Sequence, residues 1–167
     1  MPNTYTLIAS NTVGGAGASS VTFSSIPATY TDLVVFFSGR VQSGSAYYGR
    51  FYFNNNTTGY TRRSVGGDGS ATFSGAYSNE YTLISDEGTY TANTFSNFSA
   101  YIPNYAGSAY KSFSIDGVTE NNATTSYAVL YAGLWSNSAA ITSITFVPDT
   151  LNFVQYTTAY LYGIKNS

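Results

Sequence analysis

The chain contains neither cysteine nor histidine. Without cysteine, no disulfide and no thiolate metal centre can form. Without either residue, the Ser–His and Cys–His nucleophile arrangements are excluded. Charge is scarce too: Lys, Arg, Asp and Glu make up 8% of the 167 residues, against about 25% in ordinary domains. The net charge is −2 and there is no basic run, so the electrostatic footprint of duplex nucleic-acid binding is missing. No apolar run reaches the ~18 residues of a membrane-spanning helix. "MPNTYTLIAS" lacks a basic region followed by an apolar run and does not read as a secretory signal. Folding in a cytoplasm, away from membranes, is the expectation.

What the chain does have is tyrosine, 17 times, and phenylalanine, 11 times, set among Ser, Thr, Asn and Gly. Helical spacing is almost absent. Period-2 segments recur instead, separated by Gly, Asn, Pro and Ser, and short strands punctuated in this way argue for a sandwich or barrel. Strands are expected near 4–10, 19–24, 32–42, 46–54, 58–65, 80–84, 94–102, 109–118, 126–135, 141–147 and 157–165. "GGAGASS" (14–20), "NNNTTG" (54–59), "GGDGS" (66–70), "SDEGT" (85–89) and "PNYAGS" (103–108) read as loops. Pro103 and Pro148 each follow an apolar run and should end a strand. At this length the whole chain, 1–167, fits one domain. The expected fold is all-β: a jelly-roll-like antiparallel sandwich of about ten short strands with little or no helix.

Faces follow from parity, because side chains alternate across a strand. Phe113 and Ile115 should point inward, with Ser112, Ser114 and Asp116 outward. Tyr160, Tyr162 and Ile164 should oppose Ala159 and Leu161. Two segments are apolar on both faces, "DLVVFF" (32–37) and "SYAVLYAGLW" (126–135), and are the expected central strands. In the second, Ala128, Leu130, Ala132 and Leu134 form one face; Tyr127, Val129, Tyr131, Gly133 and Trp135 form the other. One face lines a core, and the other needs a partner.

Chemistry has few carriers. Of the eight carboxylates, Asp116 and Glu120 are expected to flank a turn, and a glycosidase needs two such groups about 5–9.5 Å apart. Turn chemistry explains both, and no catalytic residue is assigned. "GGDGS", "SDEG" and "TENN" offer isolated acids in loops without an EF-hand's spacing, so no metal or cofactor is assigned. The alternative with most support in the residues is glycan binding, which needs stacking aromatics and planar hydrogen-bonding groups. The loop-rich middle supplies them, with Tyr48, Arg50, Tyr52, Asn55 and Asn79 as candidates.

The stretches "YTLIASNTV" (5–13), "SSVTFSSIPATYTDLVV" (19–35), "TANTFSNFSAYIPNYAG" (91–107), "GVTENNATTSYAVLYAGLWSNSAAITSITFVP" (117–148) and "YLYGIKNS" (160–167) resemble a family of small tailed-phage virion proteins, common in cyanophages and other environmental phages. The resemblance covers the two ends of the chain, about two-thirds of it; 36–90 departs from the family pattern. It implies a non-enzymatic bacteriophage structural protein on the particle surface, made in the host cytoplasm. The most specific form is a capsid decoration, or cement, protein acting as a homotrimer against other virion proteins such as the major capsid protein. Tyr127, Tyr131 and Trp135 are then the candidate interface, since Tyr and Trp are enriched in interfaces. The alternative is a tail-fibre or receptor-binding module that holds a host cell-surface glycan through 36–90.

Overall fold

The structure is a computed structural model. It describes residues 4–42, 48–78, 83–84, 91–120, 122 and 126–165; of Tyr48, Leu83 and Ile84 it describes the backbone. The sequence expectation of an all-β chain holds. Among the described residues there are twelve strands and no helix: β1 (Tyr5–Thr12), β2 (Val21–Phe23), β3 (Asp32–Gly39), β4 (Tyr48–Phe53), β5 (Tyr60–Gly67), β6 (Thr72–Ser78), β7 (Leu83–Ile84), β8 (Ser96–Ile102), β9 (Lys111–Thr119), β10 (Tyr127–Trp135), β11 (Ile144–Pro148) and β12 (Thr158–Ile164).

All pairings are antiparallel. They form an eight-stranded sheet, β1-β12-β3-β8-β9-β10-β5-β6, and a four-stranded sheet, β2-β11-β4-β7. The first four strands of the large sheet, set beside the small sheet, give a jelly roll. The chain alternates between sheets over β1 to β4 and returns through β7, β8, β11 and β12, pairing first strand with last and second with second-last. The hairpins β5–β6 and β9–β10 lengthen the large sheet beyond that roll. Both expected central strands, β3 and β10, are flanked by neighbours on each side.

The core lies between the sheets and is built largely of rings. Phe37 of β3 meets Phe146 of β11 at 5.2 Å, Phe51 of β4 meets Phe113 of β9 at 5.4 Å, and Phe53 of β4 meets Trp135 of β10 at 5.6 Å. Each pair joins the two sheets and adds about 0.5–1.5 kcal/mol beyond its buried area. Gly133 interrupts the inner face of β10 because Phe113, its partner on β9, covers it; a Cβ there would lie 2.3 Å from that ring.

Three buried charges are satisfied where strands end. Asp32, which opens β3, accepts hydrogen bonds from Asn104 N and Tyr101 Oη, both at 2.8 Å. Arg40, just beyond β3, donates to the carbonyls of Thr91 and Thr94 at 3.0 Å. Lys111, which opens β9, donates through Nζ to the carbonyls of Gly107 and Ala109. Pro103 and Pro148 stand at strand ends as expected. The turn before β5 is locked by Asn54, whose Oδ1 accepts from Thr142 N and Ser143 N.

Strand β6 departs from the sequence expectation, which placed nothing at 72–78. Its inward side, Phe73, Gly75 and Tyr77, is broken by a glycine whose missing side chain is replaced by the Tyr77 ring. The expected loops at 66–67 are the end of β5. "SDEGT" (85–89) lies outside the described residues.

Candidate interaction face

The small sheet covers one side of the large sheet. The other side stays open among the described residues, and its composition follows from strand parity. Of twelve large apolar side chains that remain exposed among the described residues, eight lie on this outer face: Tyr5, Leu7, Phe36, Val65, Tyr101, Val118, Leu130 and Tyr160. Leu130 and Val65 are 53% and 54% exposed. Scattered single exposures are ordinary on a protein surface; a cluster on one sheet face marks an interaction site.

Register arranges these residues in rows. One row runs Val65–Leu130–Asp116–Ser99–Phe36–Tyr160 across six strands. The next runs Gly67–Ala128–Val118–Asn97–Ser38–Thr158. The face thus has two apolar halves. On the β5–β10 side, Val65, Val118 and Leu130 rim a shallow hollow whose floor includes Gly67 and Ala128. On the β3–β12 side the exposed groups are mainly rings, with Phe36 edge-on to Tyr162 at 5.9 Å and Tyr162 edge-on to Tyr5 at 6.2 Å. Between the halves, β8 and β9 lay down Asn97, Ser99, Ser112, Ser114 and Asp116. The strand positions of this face carry three charges, Arg63, Asp116 and Asp32, and the last is engaged by Tyr101 and Asn104.

The expected interface residues lie on the opposite side of β10. Tyr131 and Trp135 are buried and Tyr127 is half-buried, all three facing the interior. Trp135 stacks on Tyr60 at 6.0 Å, and Arg62 sits 5.0 Å from the Tyr131 ring. A partner approaching β10 meets Ala128, Leu130, Ala132 and Leu134 instead. Two apolar faces left the choice open in the sequence; the rings went inward because Phe53 and Tyr60 are there to receive them.

The expected glycan-binding residues map in part to the outer face of the small sheet. Arg50 and Tyr52 share that face with Val147 and Thr145, their partners on β11. Asn55 joins them, its Oδ1 accepting from Thr145 Oγ1 at 3.2 Å. Arg50 is ion-paired to Asp149, and Thr22 Oγ1 donates to Thr145 Oγ1 at 3.1 Å. These polar groups bond to one another. The side chain of Tyr48, and Asn79, lie outside the described residues.

Asp116 and Glu120 do not flank a turn as expected. β9 runs through Thr119, so their Cα atoms are about 13 Å apart along an extended strand. Asp116 accepts from Ser99 Oγ at 2.5 Å and Glu120 from Asn122 N at 2.7 Å. In "GGDGS", Asp68 Oδ1 accepts from Ser70 N and Ala71 N, and these bonds hold its carboxyl below the usual range. Burial pushes the Tyr60 hydroxyl well above its ordinary value, although Phe53 N donates to it at 2.8 Å.

The sequence could not have named Phe36, Tyr160, Val65 and Leu130 as one surface. Parity gives each residue's face within its strand, but the order β5-β10-β9-β8-β3-β12 joins segments far apart in the chain. The chain matches no protein-family model and no curated protein.

Proposed function

We propose that this protein is a non-enzymatic structural component of a tailed-phage virion, seated on the capsid as a decoration protein through the β5–β10 half of its open face. The carrying observation is the exposed Val65–Leu130–Val118 cluster on the open face of the large sheet. Full burial of a Val or Leu side chain is worth about 1.5–3 kcal/mol, so completing the burial of a half-exposed one adds about 1 kcal/mol. One copy gains modestly from such a patch. Several copies linked in a homotrimer gain together, because later contacts form at high effective concentration. The low surface charge fits this role, since like copies repel weakly. The resemblance to small phage virion proteins supplies the particle.

The test is reconstitution. Particles lacking the protein are mixed with purified protein, sedimented, and imaged with a label on the added chain. Wild type should co-sediment and decorate the head. Leu130→Asp, with its fold checked by circular dichroism, should lose attachment at least tenfold. Label confined to the tail, or equal attachment by the variant, overturns the proposal.

A further inference from the structure

We infer a saccharide-binding site on the β3–β12 side of the open face, centred on Phe36, Tyr160 and Asp116. It meets the β5–β10 half only at Asp116, which borders both hollows, and does not rest on the capsid assignment.

The site is an open depression of about 350 Å³, at the lower end of ligand-pocket sizes. Four neighbouring strands present Tyr160, Phe36, Ser99 and Asp116 in one row; three of them add Thr158, Ser38 and Asn97 in the next. At about 4.8 Å per strand, the first row spans about 14 Å, enough for a short oligosaccharide. Phe36 is 44% and Tyr160 39% exposed. Exposed rings at one end suit the apolar C–H face of a pyranose, because the ring face carries the negative lobe of the quadrupole. Hydrogen-bonding groups at the other end suit its hydroxyls. Asp116 offers an acceptor, Asn97 offers donors and an acceptor, and the side-chain hydroxyls offer both.

Two features sharpen the class. Ser99 engages one oxygen of Asp116, which fixes the carboxylate and leaves the second oxygen to accept from a sugar hydroxyl. The lining contains Asp116 and no cation, so it disfavours sialic and uronic acids and selects neutral sugars. The Phe36 ring is held edge-on by Tyr162, so the platform exists before ligand arrives. On the small sheet's outer face, where the sequence placed a glycan site, Arg50 is instead paired to Asp149.

The experiment is an NMR titration of the purified chain with maltotriose, cellotriose, mannotriose, galactotriose and sialyllactose. At least one neutral sugar should shift the amides of Phe36, Asn97, Ser99 and Asp116. Asp116→Asn and Tyr160→Ala should each weaken that binding roughly tenfold, in line with losing one charged hydrogen bond or one stacking platform. Val65→Ser, a neutral change two strands away from Asp116, should leave it unchanged while weakening attachment to capsids, so the two proposals fail independently. No binding by any neutral sugar, preference for sialyllactose, shifts at Arg50 and Tyr52 instead, or undiminished binding by both site variants would overturn the inference.

Discussion

The two sheets of this protein turn very different outer surfaces to their surroundings. On the small sheet the outward groups engage one another: Arg50 with Asp149, Thr22 with Thr145, Asn55 with Thr145. On the large sheet the outward groups are Leu130, Val65, Val118, Phe36 and Tyr160, with a polar stripe through the middle. Both sheets shield the same core, so folding alone does not call for the difference. A face finished with hydroxyls and an ion pair suits water. A broad face with eight exposed large apolar groups suits a partner.

The largest expected effect contrasts the two faces of a single strand. Trp135→Ala removes a buried ring packed between Phe53 and Tyr60 and should cost about 3–5 kcal/mol in urea unfolding. Leu130→Ala, five residues earlier on the opposite face, should change stability by no more than about 0.5 kcal/mol. A similar loss at both positions would mean that the open face is covered within the chain.

The alkaline limit of stability should report on the core side. Burial raises the pKa of both Tyr60 and Tyr105 above the ordinary value of 10.0. A raised tyrosine pKa supplies stability that is complete below the unfolded value and is lost as pH climbs through the folded one. Stability should therefore fall above about pH 10. Tyr60→Phe should flatten that fall, although it leaves Phe53 N without its acceptor and lowers stability at neutral pH. Tyrosinate absorbance followed against pH checks this: Tyr60 and Tyr105 should ionise late, as the chain unfolds.

The smallest effect belongs to the small sheet. Arg50→Ala breaks an ion pair whose side chains are 41% and 29% exposed. Such pairs contribute about 0–1 kcal/mol and are screened by salt. Unfolding should shift by less than that range's upper end, more weakly still at high salt, with capsid attachment unchanged. Loss of attachment would move the working surface to the wrong sheet.

Much of the fold was legible because parity is a strong local signal. Ser112, Ser114 and Asp116 faced outward, and Phe113 and Ile115 inward, as alternation requires. Tyr160 was correctly set against Ala159 and Leu161. β6 was missed because Gly75 breaks its apolar side and Tyr77 fills the gap only in the folded state. The interface choice on β10 failed for a related reason. Both faces are apolar, and ring size favoured Tyr131 and Trp135 as contact groups, whereas the small sheet's Phe53 claims Trp135 for the core. The Phe36–Tyr160–Asp116 grouping depends on strand order, which no local pattern encodes.

The absence of cysteine permits the most direct test of the central claim, that the β5–β10 half of the open face is what the particle covers. Single cysteines are introduced by Leu130→Cys on the large sheet and Thr22→Cys on the small one, and thiol labelling is timed on free protein and on decorated particles. Both should label readily in the free chain. On particles, the Leu130→Cys variant should be protected at least tenfold while the Thr22→Cys variant labels as before. Equal labelling of the Leu130→Cys variant in both states, or protection confined to the Thr22→Cys variant, would contradict the account.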